Sequence, residues 1–429
     1  MSRKSELLKN ISEKLPKIKE NIEVIDLTFL KNLKYCLLET SDERHQSYTK
    51  YSSIDILIIT FLAILADCDE WTEISIFTKK HYNWLNQFTN LENGIPSKDT
   101  FKRIISIIDP KEIEPILVTS MVNIVKKYQS IFNDESKYIS EKDTFAVDGK
   151  RCNSSGRLSS KNGEVKSINA MSVYSENLGM CLATEFIDEK TNEIPTGPKL
   201  LKMFNLENVI VTFDALNTQE ETINTIVEKG GYYVAAVKGN QEKTYEDLVA
   251  YFGDEKLVNQ VKKENYYCTT EKSHSSFIKY EYFQTEDVTW LYNYKKWRNI
   301  KSIGCVKKTI ENLNNHKVIT EIRYYISNLS NSIIEFSNAI RSEWAIENKL
   351  HWHLDFTFRE DKNGTFEKNA QKNLNIIRKF CLTILKLVKE IYSLSLKNIR
   401  KSLCMDFENE MHKILLYLTP EKIEELAIM

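Results

Sequence analysis

The first part of the chain alternates apolar and polar residues at helical spacing. The apolar run 56–66 predicts a buried helix that Ser52 or Ser53 caps, and it is too short to cross a bilayer. Asp69 is expected to cap a second helix and Ser97 a third, because a short polar side chain before an apolar repeat satisfies free N–H groups. This pattern predicts an all-helical N-terminal region.

At position 144 the pattern changes to short apolar runs of strand length. Three strands are followed by alternating helices and strands in the order βββαβαβα, which predicts an α/β fold with a mixed sheet. The helical crossovers require the later strands to be parallel and the connections right-handed. The predicted elements are strands 144–147, 165–175 and 181–187, helix 195–204, strand 209–213, helix 218–228, strand 232–237 and helix 242–252.

The next stretch is rich in Tyr, Thr and Val, which predicts a β-rich insertion with strands 300–309 and 318–327. Helix is expected again from Ile333, with a last apolar, basic helix over 373–391 packed behind it. We therefore divide the chain into 1–140, a helical accessory region that is either a DNA-binding module or a scaffold; 141–257, the first part of the core; 258–330, the insertion; 331–395, its helical completion; and 396–429, a helical tail.

Composition places the protein among ordinary globular chains. Its 429 residues carry a net charge of −1, so any nucleic-acid contact must come from local patches, and bases are concentrated in 295–308 and 368–401. Solvated faces are the alternative for both patches. The eight cysteines lack metal-ligand spacing and predict reduced thiols in a cytoplasmic protein, and no apolar segment of a signal peptide is visible.

The stretch 341–361 contains the most unusual helical face. Trp344, Glu347, His351 and Asp355 recur at steps of three and four, so an α-helix would place them on one side. Two acids and a histidine make a poor core face and a plausible site. Glu347 and His351 could also share a Zn²⁺, although no further soft ligands lie nearby in the sequence.

Two aspartates follow apolar strands of the predicted sheet. Asp148 and Asp214 would converge if the first and fourth strands are neighbours, and ligands of open α/β sheets bind at that edge. Carboxylates so close repel unless a cation lies between them, and hard oxygen donors suit Mg²⁺ or Mn²⁺. Glu347 would complete the site. The alternative is that Asp148 forms a turn with Gly149 and Asp214 caps a helix.

The chain resembles the DDE transposases of bacterial insertion sequences, in particular the H-repeat-associated (ISAs-type) group. The resemblance spans about residues 37–390 and is most specific in its last block. The matching stretches are GIPSKDTFKRIISIIDP at 94–110, FAVDGK at 145–150, NEIP at 192–195, VTFDALNTQ at 211–219, YVAAVKGNQ at 233–241, RYYISNL at 323–329 and RSEWAIENKLHWHLDFTFRED at 341–361.

The resemblance implies a ribonuclease-H-like core and a metal-dependent enzyme that cuts and joins DNA at the ends of its element. The protein is expected to act as a homodimer, to have no membrane partner, and to be associated with the nucleoid when it is bound to DNA. It assigns the catalytic and metal-ligating roles to Asp148, Asp214 and Glu347, with two Mg²⁺ or Mn²⁺ ions, and support to His351, Asp355 and Asn348. The family pattern also picks out Trp352, Asn240 and Gln241. The side chains of Trp344 and Trp352 are expected to pack in the core or against the sheet, and stacking on a DNA base is the alternative. The expected DNA contacts are Lys150, Arg151, Lys238, Lys295, Lys296, Arg298, Arg341, Arg378 and Lys379.

The sequence departs from the family at two places. Glu343 stands where a histidine is usual, one helical turn before Glu347, and is expected to add repulsion near the metals. His274-Ser275-Ser276 replaces His-Gly-Arg and removes a cation. A catalytically weak or repurposed DNA-binding relative, and a general nuclease on the same core, are therefore the alternative functions.

Overall fold

The computed structural model describes residues 26–42, 44, 49–132, 142–152, 156–159, 163–165, 167–187, 193–273, 275–419 and 421. The expectations for the extreme N-terminus and for His274 fall outside these residues. The described N-terminal region is helical, as predicted. Its helices are α1 Thr28–Leu37, α2 Ser53–Leu65, α3 Trp71–Lys80, α4 Tyr82–Leu85, α5 Lys98–Ile107 and α6 Pro110–Phe132.

Two of the three predicted helix caps are present. The Ser52 hydroxyl accepts the N–H of Ile54 at the start of α2, and the Ser97 hydroxyl accepts the N–H of Thr100 in α5. The prediction for Asp69 was wrong. Glu70 caps α3 instead, and the buried Asp69 carboxylate pairs with two arginines from the C-terminal part of the chain.

The central part follows the predicted order βββαβαβα, with a small hairpin added between the first two predicted strands. A mixed sheet forms because the crossovers through α7 and α8 keep β1, β6 and β7 parallel. The elements are β1 Asp143–Cys152, β2 Arg157–Ser159, β3 Gly163–Val165, β4 Ile168–Ser175, β5 Met180–Ile187, α7 Glu193–Leu201, β6 Val209–Phe213, α8 Glu220–Glu228, β7 Tyr232–Val237 and α9 Glu242–Gly253.

The β-rich insertion is continuous with the core sheet. Strand β11 pairs antiparallel with β7, so the described strands form a nine-stranded sheet in the order β5-β4-β1-β6-β7-β11-β10-β9-β8. Sequence analysis identified β10 and β11 but not the two strands before them. The elements are α10 Glu255–Glu264, β8 Tyr266–Ser273, β9 Ser276–Thr285, β10 Ser302–Asn312 and β11 Val318–Ser327.

The C-terminal helices cover one face of this sheet. Apolar residues of α12 pack between the sheet and the N-terminal helices, so Ala146 of β1 shares a cluster with Ile377 of α12 and Phe61 of α2. The elements are α11 Ile333–Ile346, α12 Lys368–Tyr392, α13 Leu396–Met405 and α14 Phe407–Tyr417. Val147 belongs to the cluster on the opposite face. Because side chains alternate along a strand, Asp148 points to the same face as Ala146, toward the C-terminal helices.

Candidate active site

The strand register places Asp148 and Asp214 side by side. The parallel pairing of β1 with β6 ends at Val147 and Phe213, and the two aspartates are the next residues on their strands. Strand β1 does not end there, because its antiparallel pairing with β4 continues to Cys152. The alternative of an Asp148-Gly149 turn is therefore wrong, and Asp148 lies where one neighbouring strand leaves the sheet.

Polar side chains hold the loop that follows Asp214. The Asp214 carboxylate accepts hydrogen bonds from the backbone and side-chain amides of Asn217, at 3.1 and 3.0 Å. The side-chain amides of Asn240 and Gln241 donate to the carbonyl of Ala215, at 2.7 and 2.9 Å. Asn240 and Gln241, which the family resemblance picked out, thus tie the turn after β7 to the Asp214 loop.

The helix that carries Glu347 differs from the predicted α-helix. Helix α11 ends at Ile346, and the chain continues in π-helical turns over Glu347–His351 and His353–Thr357. The N–H of Trp352 bonds to the carbonyl of Glu347, five residues earlier. Such wide turns are rare and are frequent at functional sites. Residues four apart still lie near one another on this helix, so the predicted stripe keeps a common side.

That side of the helix faces β1. The His351 Nδ1 atom lies 3.5 Å from the Asp148 Oδ2 atom, and the Lys150 ammonium donates to Asp355 at 2.7 Å. Asp148 and Lys150 are two residues apart on β1, and His351 and Asp355 are four apart on the helix. The matched spacing fixes the helix against the strand, so Glu347 is held at the same sheet edge.

The negative charges of the site are not neutralised by bases. Burial, together with the charges of Asp214 and Glu347, raises the pKa of Asp148 to about 7. Within the described chain, no lysine or arginine forms an ion pair with these three carboxylates. His351 does not supply a charge, because burial, Lys379 and Lys150 lower its pKa to about 3 and leave it neutral.

Glu193 is a fourth acid at the site that the sequence analysis did not single out. It begins α7, and its Oε1 atom would lie 3.4 Å from a Cβ atom added to Gly149. Burial and the charge of Asp214 raise its pKa. The signal was present, since this glutamate belongs to the family-like stretch NEIP.

Glu343 is a fifth acid, and its effect differs from the expected one. The Tyr325 hydroxyl donates to its Oε2 atom at 3.4 Å. Burial raises its pKa to about 8; the charge of Arg323 opposes this shift, and the charges of Asp214 and Asp148 add to it. At neutral pH the carboxyl is largely protonated. The expected repulsion is therefore mostly absent, because the proton removes the charge.

The donor set at this edge suits a hard divalent cation. Carboxylate oxygens that raise one another's pKa are stabilised when a cation lies between them, and the half-exposed position leaves room for water ligands. Among the described residues, no three His, Cys, Asp or Glu side chains already stand close enough to hold an ion. An ion would therefore draw in the exposed side chain of Glu347. In the part of the chain that the structure describes, no cysteine or further histidine lies close enough to complete a Zn²⁺ site with His351.

The predicted DNA-contacting bases divide into two groups. The side chains of Lys150, Arg378 and Lys379 are buried and already partnered. Although burial opposes it, Glu360 and Asp355 raise the pKa of Lys150. Arg378 faces Glu360 at 3.5 Å, and Lys379 donates to the hydroxyls of Ser172 and Thr184. Much of the basic stretch 368–401 therefore points into the protein rather than to solvent.

The remaining bases are accessible. Arg298 pairs with Glu228, and Arg341 is half-buried, pairs with Glu271 and lies over the ring of Tyr280. The exposed members are Arg151, Lys238, Lys295, Lys296 and Arg298. Lys238 follows β7 directly and thus lies at the sheet edge that carries the acids.

The two tryptophans of this segment have different environments. Trp344 packs on Tyr280, with ring centroids 5.6 Å apart, as expected for a packing residue. Trp352 is 47% exposed, so the expectation of core packing was wrong for this residue. Asn348, also predicted to support the site, is exposed beside Glu347.

Two general expectations can be compared with the described residues. All eight cysteines are unpaired, and Cys152, Cys181, Cys305 and Cys381 are buried. Across the same described residues, no helix combines the length and apolar character that crossing a membrane requires.

Comparison with known proteins assigns the family. A family model described as "Transposase DDE domain" matches residues 139–384, and one described as "DDE_Tnp_1-associated" matches residues 35–120. The chain is 30% identical over 353 residues to "Putative transposase YncI" of Escherichia coli O157:H7, covering 82% of this chain and 86% of that protein. It is 29% identical over 360 residues to "H repeat-associated putative transposase YhhI" of Escherichia coli strain K12, covering 83% and 90%.

A solved piggyBac transposase synaptic complex with hairpin DNA shares 13% identity with this chain at a TM-score of 0.34, covering 93% of this chain and 79% of that one. The family model alone spans more than half of the chain. The chain belongs to the DDE transposases, in their H-repeat-associated group.

Proposed function

We propose that this protein is a DNA transposase that cleaves and rejoins phosphodiester bonds at the ends of an insertion sequence. The observation that supports this most is the meeting of Asp148 and Asp214 at one sheet edge, with Glu347 on the helix opposite and no ion-pairing lysine or arginine among the residues that the structure describes. A ribonuclease-H-like core is part of the proposal, and the strand order β5-β4-β1-β6-β7 with parallel β1, β6 and β7 supports it.

Asp148, Asp214 and Glu347 would hold the divalent ions, two Mg²⁺ or Mn²⁺. When bound, such ions activate the attacking water or 3′-hydroxyl and stabilise the leaving oxygen. Asn217 orients Asp214 through two hydrogen bonds, and the neutral His351 orients Asp148 from the helix side. Asp355 acts indirectly, because its ion pair with Lys150 fixes the helix on β1.

The proposed partners are the element ends and the target DNA, with a homodimer bringing two ends together. The exposed bases Arg151, Lys238, Lys295, Lys296 and Arg298, with the half-buried Arg341, are the proposed phosphate contacts. We do not assign this role to Lys150, Arg378 and Lys379, because all three side chains are buried. Lys150 and Arg378 also pair with Glu360, and Lys379 donates to two hydroxyls.

The test is nicking of DNA that carries the terminal inverted repeats flanking the reading frame, with Mg²⁺ or Mn²⁺. Wild-type protein is expected to nick this DNA only with metal, and Asp148→Asn is expected to lose the activity by several orders of magnitude. Asp99→Asn, an exposed acid in the first turn of α5, is the matched control and should nick normally. Undiminished nicking by Asp148→Asn would overturn the proposal.

The same assay separates the two alternatives. A general nuclease would cut DNA that lacks terminal repeats equally well. A non-cutting relative would bind DNA with a steep salt dependence and show no cleavage in Mn²⁺. The absence of basic partners around Asp148 favours the enzyme, because repulsive acids without a cation are costly to retain for binding alone.

A further inference from the structure

An exposed aromatic pair lies on the helix that carries Glu347. The rings of Trp352 and Phe356 stack with centroids 4.4 Å apart and planes 21° apart, and the two residues are 47% and 50% exposed. Leu350 and Leu354 on the same turns are buried. The segment thus already has its own core face, and the aromatic pair lies outside it.

One lysine borders the pair. The Lys397 ammonium lies 4.9 Å from the centre of the Phe356 ring. His353 packs edge-on against Trp352, and burial together with Lys386 and Lys389 lowers its pKa to about 4. An exposed aromatic surface with a lysine at its border is complementary to a stacked base followed by a phosphate.

The pair also lies next to the proposed reaction centre. The N–H of Trp352 bonds to the carbonyl of Glu347, so the tryptophan is one π-helical turn beyond the third acid. Glu347 and Asn348 are exposed on the adjoining turn. A DNA strand whose phosphate reaches Glu347 therefore passes within about one nucleotide of the Trp352 ring.

We propose that Trp352 and Phe356 form a stacking platform for an unpaired base of the DNA strand beside the scissile phosphate, with Lys397 contacting the neighbouring phosphate. The platform rests on the proposed function for its place in the reaction. A second copy of the chain fits this surface less well. The exposed halves of the two aromatic side chains together offer roughly 200 Å² of surface, far below the roughly 800 Å² that each partner buries in a stable interface.

The experiment measures DNA binding in EDTA, so that no cleavage occurs. The probes are a labelled duplex with a five-thymidine single-stranded overhang and the same duplex with blunt ends. Trp352→Ala is expected to weaken binding of the overhang probe about 5- to 100-fold and to leave the blunt probe unchanged, since stacking contributes about 1–3 kcal/mol per base. Trp352→Phe should restore most of the affinity.

Trp290→Ala is the matched control. Trp290 is also a stacked, exposed tryptophan, at 38%, but it lies on Tyr251 of α9, which carries none of the site acids. It should bind both probes like the wild type. Lys397→Gln should lower the dependence of overhang binding on salt by about one phosphate contact.

The possible results are distinct. If Trp352→Ala melts at the wild-type temperature and binds the overhang probe as tightly as the wild type, the platform is overturned. It is also overturned if Trp352→Ala loses a dimer in sedimentation while its DNA affinity is unchanged. Loss of overhang preference in Trp352→Ala supports the platform even if the wild type fails to nick DNA. Failure of metal-dependent nicking, by contrast, overturns only the proposed function.

Discussion

Two groups of acids in this molecule have opposite electrostatic surroundings. At the sheet edge, Asp148 and Asp214 face other acids and no ion-pairing lysine or arginine among the described residues. At the junction with the N-terminal helices, Asp69 pairs with Arg400 at 2.6 Å and with Arg359 at 2.9 Å. Arg400 is fully buried, and Asp69 is 3% exposed.

The difference separates a structural role from a functional one. Each buried charge of the junction has a partner of opposite sign, so removing one partner leaves the other uncompensated. The acids of the site repel each other, and removing one relieves that repulsion. The same substitution, aspartate to asparagine, should therefore have opposite effects on stability in the two places.

The largest expected effect on stability is at the junction. Asp69→Asn should lower the free energy of unfolding by about 3 kcal/mol, because Arg400 loses its closest carboxylate in a buried site. Urea unfolding followed by far-UV circular dichroism measures this change. Asp99→Asn, the exposed control, should stay within about 0.5 kcal/mol of the wild type, and an equally mild Asp69→Asn would show that the junction is not a balanced network.

The second effect has the opposite sign. The pKa of Asp148 rises from 3.8 to about 7, equivalent to about 4 kcal/mol in full, and screening at a side chain that is 35% exposed reduces it. Asp148→Asn should thus raise the free energy of unfolding by about 1–2 kcal/mol at pH above 7. Asparagine keeps an acceptor for the N–H of Gly149, so the local geometry is retained.

The pH dependence of the free energy of unfolding tests the sign of the Asp148→Asn effect independently. Because the folded protein binds the Asp148 proton more tightly than the unfolded chain, this group's favourable contribution is complete below about pH 4 and is lost as the pH rises through about 7. The advantage of Asp148→Asn over the wild type should therefore grow from near zero at about pH 4 to its full size above about pH 7. A constant or reversed difference in urea midpoints from pH 4 to pH 7 would contradict the repulsion.

The sequence predicted the positions of the two aspartates but not the end of β1, which continues to Cys152, nor the charges around the acids. Apolar runs before Asp148 and Asp214 located both acids, since a buried strand delivers the next side chain to the sheet edge. Which lysines point inward depends on packing at a distance. Lys150 and Lys379 are buried because acids or hydroxyls far along the chain face them, and no local pattern contains that information.

The helix of Glu347 shows a similar limit. Spacings of three and four indicated one face, and the contacts of His351 and Asp355 with β1 confirm that they share it. The change to π-helical turns was not predictable, because it depends on tertiary packing that no local pattern of this segment specifies. Trp352 lies between those turns and is exposed, so the prediction that it packs in the core was wrong.

The smallest expected effect concerns Glu343. Its pKa of about 8 keeps the carboxyl mostly protonated near pH 6–7, so Glu343→Gln should change the free energy of unfolding by less than about 0.5 kcal/mol there. Above about pH 8 the glutamine variant should become the more stable protein, because only glutamate then carries a buried charge near Asp214 and Asp148. Chemical unfolding near pH 6–7 and again above about pH 8 distinguishes a protonated Glu343 from a Glu343 that is ionised and acts as a further metal ligand.

The central claim is that the unneutralised acids at the sheet edge form a divalent-metal site. Calorimetric titration with Mn²⁺ at about pH 8, where Asp148 is ionised, tests it without DNA. The account predicts saturable binding by the wild type and by Asp99→Asn, and at least a roughly tenfold loss of affinity in Asp148→Asn and Asp214→Asn. Equal Mn²⁺ affinity in all four proteins, or none in the wild type, would contradict it.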